Sequence, residues 1–224
     1  HIAQIANIIR SDDVSADDKA ILTSLLLDTN AVMVDSSGNL FNEKAGNNLS
    51  LNAWLAGKEF YTIYNAEEIT KMKTSGMSSF HKPTFLSQGG SYEVNTPIPN
   101  IENILAIGEK YDDVITAESI SELGDKLGFK LSISDVHGKT TGKFYAIKGA
   151  AYIYSTTGGL DVDENFNVLT KEQEPISNIY AVGNDSMGVL FASKKAYVTY
   201  GGVAQGYALT SGRLAGYYAS VNTK

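Results

Sequence analysis

Three glycine-bearing segments in the last third of the chain carry residue types suited to binding a flat or anionic ligand. They are the pair Gly158 and Gly159 in a polar turn, Gly183 after an apolar run, and the pair Gly201 and Gly202 before a helix-like segment. A glycine after a strand lets the backbone approach a ligand where a Cβ atom would collide with it. The backbone amides of these segments are therefore candidate ligand contacts.

The segment that follows Gly201 and Gly202 is predicted to be a helix with a ligand at its N-terminus. The start of a helix has unpaired N–H groups and about half a positive charge. Such an end suits the anionic pyrimidine edge of a reduced flavin, so it would stabilise the reduced state and raise the potential. A face of small residues would let the helix pack closely on a sheet or a flat ring. That face consists of Ala204, Ala208, Ser211, Gly212 and Ala215.

A second interpretation of the same segments needs no ligand. Glycines also occupy ordinary turns, and small residues also permit tight packing between a helix and a sheet. No Gly-x-Gly-x-x-Gly motif follows a strand-like segment in the 224 residues, so the usual fingerprint of a dinucleotide site is missing from them. The residue types alone leave both interpretations open.

Hydrophobic periodicity and turn residues predict the elements that would position these segments. We predict helices at 17–27, 66–75, 117–127 and 201–219, and strands at 31–34, 144–147, 151–154 and 179–182. Thr116 is the expected N-cap of the third helix, and Gly128 its expected end. A polar turn at 35–39 is expected to lead into a returning strand at Leu40, and Pro175 to end a polar loop before the buried strand 179–182.

Composition argues against several classes of function. The net charge of −7 and the lack of a basic run argue against nucleic acid and anionic membranes as partners. With no cysteine and three scattered histidines, we expect no disulfide, thiol nucleophile or zinc site. The apolar stretches are far shorter than the ~20 residues that cross a bilayer, so no membrane span is expected.

The order and spacing of four motifs resemble the C-terminal part of the fumarate reductase/succinate dehydrogenase flavoprotein family. The motifs are the Gly-Gly turn at 157–168, the strand end at 179–183, the Gly-Gly helix at 201–216 and, upstream, a capping-domain motif at 31–43. As in that family, nine residues separate Gly202 from Gly212. The resemblance implies an FAD-dependent oxidoreductase with an α+β or α/β fold.

The resemblance also implies how the chain is divided. Residues 1–24 would be the tail end of an FAD-binding domain, 25–137 a capping domain that closes over the substrate, and 138–224 the C-terminal half of a Rossmann-like FAD-binding domain. The N-terminal half, with its βαβ unit and glycine fingerprint, is missing from these residues, which are therefore expected either to be cut from a longer protein or to be completed by another chain. We therefore expect these residues alone to bind FAD weakly and to be inactive.

Particular residues are expected to meet the cofactor by the same resemblance. The turn at Gly183 would lie along the ribityl chain or pyrophosphate, with Asn184 where the family usually has glutamate. The first amides of the last helix would face the flavin pyrimidine, and Thr157 would lie near the ring. The expected cofactor-binding residues are Thr157, Gly158, Gly183, Asn184, Asp185, Gly202, Val203 and Ala204.

The substrate groups of fumarate reductases are replaced at the aligned positions. Those enzymes hold a dicarboxylate with a histidine and an arginine and protonate it with another arginine, and here the corresponding residues are Ser155, Thr199 and Asn47. None of them is a cation, so bidentate pairing with a carboxylate is lost. The expected reaction is hydride transfer between flavin N5 and an activated C=C bond of a non-dicarboxylate acceptor. Tyr154 and Tyr200 are the candidate catalytic residues, because a phenol can donate a proton.

Two other functions stay open from the sequence. One is a non-catalytic binding or surface module in which the Gly-Gly turns are only turns. The other is a degenerate flavoprotein that has lost its substrate groups. A separate electron donor is expected for the reductase, and the compartment, cytoplasm or bacterial cell surface, is not determined by these residues.

Overall fold

The computed structural model describes residues 2–5, 11–40, 49–80, 92–153, 158–191 and 202–222. They belong to two compact units, one of residues 2–152 and one of residues 153–224. The first unit is a sheet with helices on both faces. The second has a two-stranded sheet, a 3₁₀ helix and a long α-helix. The predicted division at 24 and 137 into parts of an FAD domain and a cap stays a prediction.

Strands and helices alternate along the described part of the first unit, except that α4 follows α3 directly in the order of elements. The strands are β1 (Ile2–Ile5), β2 (Val32–Asp35), β3 (Glu59–Asn65), β4 (Val114–Ser119) and β5 (Thr141–Ile153). The helices are α1 (Ala16–Leu26), α2 (Leu49–Leu55), α3 (Ala66–Ser75), α4 (Ile101–Lys110) and α5 (Ile120–Leu127).

The sheet of the first unit is organised around β5, a strand of 13 residues. On one edge β5 pairs with β3, which in turn pairs with β2, and both β4 and β1 also pair with β5. The register places Tyr64 opposite Tyr145 and Thr62 opposite Ile147. The β2–β3, β3–β5 and β4–β5 pairings are antiparallel. This unit therefore has α+β rather than α/β character.

Strand β3 is buried on both faces, and its side chains alternate between two hydrophobic clusters. Phe60 and Tyr64 pack in the cluster that contains residues of α1, α3 and α4. Tyr61 and Ile63 pack in the cluster that contains Leu123 of α5. The sheet is thus covered by helices on both sides.

Local hydrogen bonds explain where two of the helices begin. Ser15 caps α1 by accepting a hydrogen bond from the backbone N–H of Asp18. Asn65 and Glu68 form a capping box at the start of α3. The Asn65 side-chain amide also donates to the Val136 carbonyl at 3.0 Å, which holds the turn before β5 against the start of α3.

The second unit contains β6 (Asn167–Leu169), β7 (Pro175–Tyr180), a 3₁₀ helix (Gly183–Val189) and α6 (Val203–Asn222). The two strands pair antiparallel. Both hydrophobic clusters formed by the described residues lie in the first unit. On α6 only Ser211 and Ala215 are buried, whereas Leu209 is 77% exposed. Among the residues described, the buried apolar side chains of this unit are few, namely Val168, Ala181, Met187, Phe191 and Ala215.

Several predicted elements are confirmed. The helix predicted at 66–75 has those bounds, and the helix predicted at 17–27 spans Ala16–Leu26. Gly128 ends α5 in a left-handed conformation with φ of 83°, as its expected role as helix end requires. The mixed fold of helices and sheet is confirmed as well.

Other element predictions were wrong. The helix predicted at 117–127 starts at Ile120 with Ser119 as its cap, because residues 114–119 pair with β5 instead. The strands predicted at 144–147 and 151–154 are one strand, β5, as far as Ile153. Pro175 begins β7 rather than ending a loop, and this strand is largely exposed rather than buried. The returning strand at Leu40 is a single bridge to Val34.

Candidate functional site

The Gly158–Gly159 turn packs directly on the 3₁₀ helix of the second unit. The Gly158 N–H donates to the Phe191 carbonyl at 2.8 Å, and the Leu160 N–H donates to the Asp185 carbonyl at 2.7 Å. Gly159 has φ of 123°, and a Cβ atom there would lie 2.4 Å from the Asp185 carbonyl oxygen. Gly159 is therefore required for close packing of two backbone segments.

Gly158 differs from its neighbour in its surroundings. Its φ is 91°, and a Cβ atom added to it would meet no atom of the described residues within 4 Å. The close-packing reason that applies to Gly159 does not apply at this position. Among the described residues, nothing fills the space beside Gly158.

The turn after β7 carries the second predicted segment. Gly183 has φ of 56° and is buried, while Asn184 and Asp185 are exposed. The Gly183 N–H donates to Ser211 Oγ on α6 at 3.0 Å. This amide is thus held by the protein's own side chain, and the exposed groups of the turn are the side chains of Asn184 and Asp185.

The start of α6 carries the third predicted segment. Gly202 is exposed with φ of 86°, and its carbonyl accepts the first helical hydrogen bond from the Gly206 N–H at 2.8 Å. In the part of the chain that the structure describes, no side chain accepts a hydrogen bond from the amides of Val203 or Ala204. The first turn of α6 contains no acidic residue. Its positive end thus fits an anionic group such as the pyrimidine edge of a reduced flavin.

Two polar side chains of α6 join this helix to the 3₁₀ helix. Ser211 is fully buried, accepts from Gly183 and donates to the Tyr207 carbonyl at 2.6 Å. The Tyr207 hydroxyl donates to the Ser186 carbonyl at 3.1 Å and lies 2.9 Å from Ser186 Oγ. Neither Tyr207 nor Ser186 stands out in the sequence. Tyr207 and Ser211 are four residues apart, which puts them on one face of a helix. This spacing is the sequence feature that could have identified the pair.

The predicted face of small residues on α6 is only partly correct. Ser211 and Ala215 are buried, and Ala208 approaches Gly183, since a Cβ atom on that glycine would lie 3.5 Å from the Ala208 Cβ. Ala204 and Gly212 are exposed, and no described atom lies within 4 Å of a Cβ placed on Gly212. This part of the helix does not pack on any described strand.

Several predicted site residues are brought together in the second unit. Gly158 and Asp185 lie in adjoining backbone segments, Gly183 is bonded to α6, and the helix begins one turn before Tyr207. Six predicted residues lie outside the described part of the chain: Asn47, Tyr154, Ser155, Thr157, Thr199 and Tyr200. The predicted substrate residues and catalytic tyrosines therefore stay predictions.

The turn between the Gly158–Gly159 pair and β6 contains Asp163, a carboxyl group whose pKa is lowered. Burial raises the pKa of Asp163, but hydrogen bonds from the Asn167 side chain and from the backbone N–H groups of Asn167 and Asn165 outweigh it and lower that pKa.

No cluster of three or more His, Cys, Asp or Glu side chains with metal-binding geometry occurs in the described ranges. No helix in the same ranges has the length and apolarity to cross a membrane.

Comparison with known proteins identifies relatives of this chain. Residues 72–196, more than half of the chain, match the FAD binding domain family. The chain is 37% identical over 86 residues to the vinyl phenol reductase of Lactiplantibacillus plantarum, a match that covers 37% of this chain and 16% of that protein. It is 24% identical over 193 residues to the NADH:fumarate oxidoreductase of Klebsiella pneumoniae, covering 85% of this chain and 20% of that protein.

A solved structure has the same fold. The open conformation of a flavocytochrome c3 fumarate reductase superposes with a TM-score of 0.51 at 15% identity, covering 99% of this chain and 36% of that one. The chain spans about a fifth or less of the length of the curated relatives it matches. The resemblance inferred from the four motifs is thereby confirmed. The chain belongs to the FAD binding domain family of fumarate reductase-like flavoproteins, whose cofactor is FAD.

Proposed function

We propose that this chain is the cap-bearing, C-terminal part of an FAD-dependent reductase that acts on an activated C=C bond of a non-dicarboxylate acceptor. The observation that carries the proposal is the match of residues 72–196 to the FAD binding domain family. When bound, FAD supplies the hydride from its reduced ring. The protein's own residues bind and orient the cofactor and acceptor and exclude water.

The three glycine segments of the second unit are the proposed cofactor contacts. The amides of Val203 and Ala204, which no described side chain caps, would stabilise negative charge on the ring, and the backbone at Gly158 would approach its surface. The exposed side chains of Asn184 and Asp185 would hydrogen-bond the ribityl chain or pyrophosphate. Thr157 would extend the contact at the ring.

The acceptor is proposed to be neutral or aromatic. At the positions that align with the substrate cations of fumarate reductases, this chain has Asn47, Ser155 and Thr199, none of which can pair with a carboxylate as a guanidinium does. Tyr154 and Tyr200 are proposed to supply an aromatic wall and a proton. The similarity to a vinyl phenol reductase supports this choice.

A separate N-terminal half is proposed to complete the FAD site. In support, the described part of the second unit has no hydrophobic cluster, and its exposed apolar side chains include Ile179 at 49%, Leu209 at 77% and Tyr217 at 60%. A unit that leaves this much apolar surface in water needs a cover. The relatives, which are several times longer, have enough chain to provide one. Residues 25–137 are proposed to act as the cap.

The experiment compares the 224-residue chain alone with the chain mixed with the N-terminal half. Visible flavin absorption after gel filtration measures bound FAD, and we expect weak binding alone and stoichiometric binding in the mixture. Tight FAD binding by the chain alone would refute the need for the partner. No binding in the mixture would favour a module without a cofactor.

The acceptor is tested on the FAD-loaded mixture with a reduced viologen dye as electron donor. We expect turnover with vinyl phenols or monocarboxylic enoates. With fumarate we expect kcat/KM to be about 100-fold or more lower than with those acceptors, because two charge-assisted contacts to its carboxylates are absent. A preference for fumarate would contradict the proposal. Turnover of no acceptor by a fully loaded protein would identify a degenerate flavoprotein.

A further inference from the structure

Hydrogen bonds join the segments of the second unit beside a small set of buried apolar side chains, Val168, Ala181, Met187, Phe191 and Ala215. Both hydrophobic clusters formed by the described residues lie in residues 2–152. On α6, the two buried residues are Ser211, which is polar, and Ala215, which is small. Directional polar contacts therefore contribute to how the candidate cofactor segments are arranged relative to one another.

These contacts form one connected network across three segments. From α6, Ser211 Oγ accepts from the Gly183 N–H at 3.0 Å and the Tyr207 hydroxyl bonds both Ser186 oxygens at 2.9 and 3.1 Å. From the 3₁₀ helix, the Asp185 carbonyl accepts from the Leu160 N–H at 2.7 Å. The network thus runs from the last helix through the Gly183 turn to the Gly158–Gly159 turn.

Every polar atom at the α6 end of the network has a partner. Ser211 Oγ uses its proton on the Tyr207 carbonyl at 2.6 Å and a lone pair on Gly183. The Tyr207 proton goes to the Ser186 carbonyl, which leaves the Tyr207 oxygen to accept from Ser186 Oγ. Ser186 and Ser211 are both fully buried. A fully satisfied buried network of this kind defines one geometry, since breaking any bond leaves a buried polar group unpaired.

We propose that Tyr207 and Ser211 are positioning residues for FAD, an inference that rests on the proposed function. They fix the Gly183–Ser186 segment to α6, so that Asn184 and Asp185 keep a set position relative to the amides at the start of that helix. Through the Asp185 carbonyl they also fix the Gly158–Gly159 turn. Neither side chain needs to touch the cofactor.

The first test measures the network in the 224-residue chain without FAD. Ser211→Ala leaves the Gly183 amide unpaired, and we expect about tenfold faster hydrogen exchange in peptides covering 183–191. Tyr207→Phe removes the hydroxyl while keeping the ring and should act in the same direction. Matched controls on the same helix are Thr210→Ala, at an exposed position, and Tyr218→Phe, which keeps the ring that contacts Tyr217.

The second test measures FAD in the chain combined with the N-terminal half. We expect Ser211→Ala to raise the Kd for FAD about tenfold, which corresponds to one lost buried hydrogen bond, and Tyr207→Phe to raise it by a smaller factor. At saturating FAD, both variants should also change the visible circular dichroism of the flavin. A merely structural role would lower the melting temperature and leave that spectrum unchanged.

The outcomes separate the two levels of the argument. If the wild-type mixture binds FAD and both variants bind it with the same Kd and spectrum, the positioning role is refuted while the proposed function stands. Unchanged hydrogen exchange in both variants refutes the network itself. If the wild-type mixture binds no FAD, the proposed function fails and the positioning role fails with it. Thr210→Ala and Tyr218→Phe should match the wild type throughout.

Discussion

Asp28 tests how a buried carboxyl group affects the stability of the first unit, because its negative charge is unfavourable in that buried position. It lies just after α1, is 4% exposed, and accepts from the Asn30 N–H at 2.8 Å. The Tyr64 hydroxyl is 3.2 Å from Asp28 Oδ2 but only 2.6 Å from the Leu25 carbonyl, so its single proton favours the carbonyl. Burial raises the pKa of Asp28, and the negative charge of Glu68 adds to this effect.

The perturbation is Asp28→Asn, which keeps the shape and removes the charge. Its Oδ1 can accept from Asn30, and its Nδ2 can donate to the Tyr64 oxygen, so no buried group is left without a partner. Because the folded-state pKa of Asp28 is raised, the native protein binds the proton more tightly than the unfolded chain does. Its stability contribution is therefore present at low pH and is lost as pH rises from the unfolded pKa of about 4 through the folded value.

The change in unfolding free energy with pH has an upper limit, because Asp28 takes up a single proton. Relative to Asp28→Asn, the wild type should lose at most about 1.4 kcal/mol of unfolding free energy per pH unit across that window, and the difference should then level off. Urea denaturation at a series of pH values, followed by fluorescence of Trp54 in the same unit, measures it. Asp12→Asn is the control, because it removes the same charge from an exposed position. A difference that is flat with pH, or that favours the wild type at neutral pH, would refute the reasoning.

Two further predictions concern backbone packing and a helix cap. Gly159→Ala should abolish FAD binding by the complete protein, since its Cβ would collide with the Asp185 carbonyl oxygen. Gly158→Ala should weaken it less, because its Cβ meets no described protein atom and only the positive φ and the nearby cofactor oppose it. Titration with FAD measures both, and equal losses would show that the close approach does not matter. Asn65→Ala should lower the unfolding free energy by about 1–3 kcal/mol, because it removes a capping box and leaves the buried Val136 carbonyl without the side-chain donor that reaches it. Urea denaturation of the 224-residue chain measures this loss, and a change below about 0.5 kcal/mol would contradict it.

Elements with a strong local pattern were predictable from the sequence. The spacing of Leu22, Leu25 and Leu26 predicts α1, and Gly128 predicts the end of α5. The start of α5 was not predictable in this way. Residues 114–119 have a pattern that suits a helix or a strand, and pairing with β5 decides between them.

In the candidate site too, local sequence features were predictable, whereas contacts between residues far apart in the chain were not. The sequence identifies Gly158, Gly159 and Gly183 as unusual, because glycine types and spacing are local features. It does not distinguish Gly159, which the Asp185 carbonyl requires, from Gly158, which faces open space. The bond from Gly183 to Ser211 joins residues 28 apart in the chain, and no periodicity predicts such a contact.

The central position of β5 has a consequence for how the first unit is made. Strands β1, β3 and β4 all pair with β5, and all three precede it in the chain. At a synthesis rate of about 5–20 residues per second, the growing chain waits roughly ten seconds between the appearance of β1 and that of β5. From the time each is made until β5 appears, β1, β3 and β4 have edges that lack their partner, and open edges invite pairing with other chains. Protection of the nascent chain by a chaperone is therefore most valuable before Thr141 leaves the ribosome.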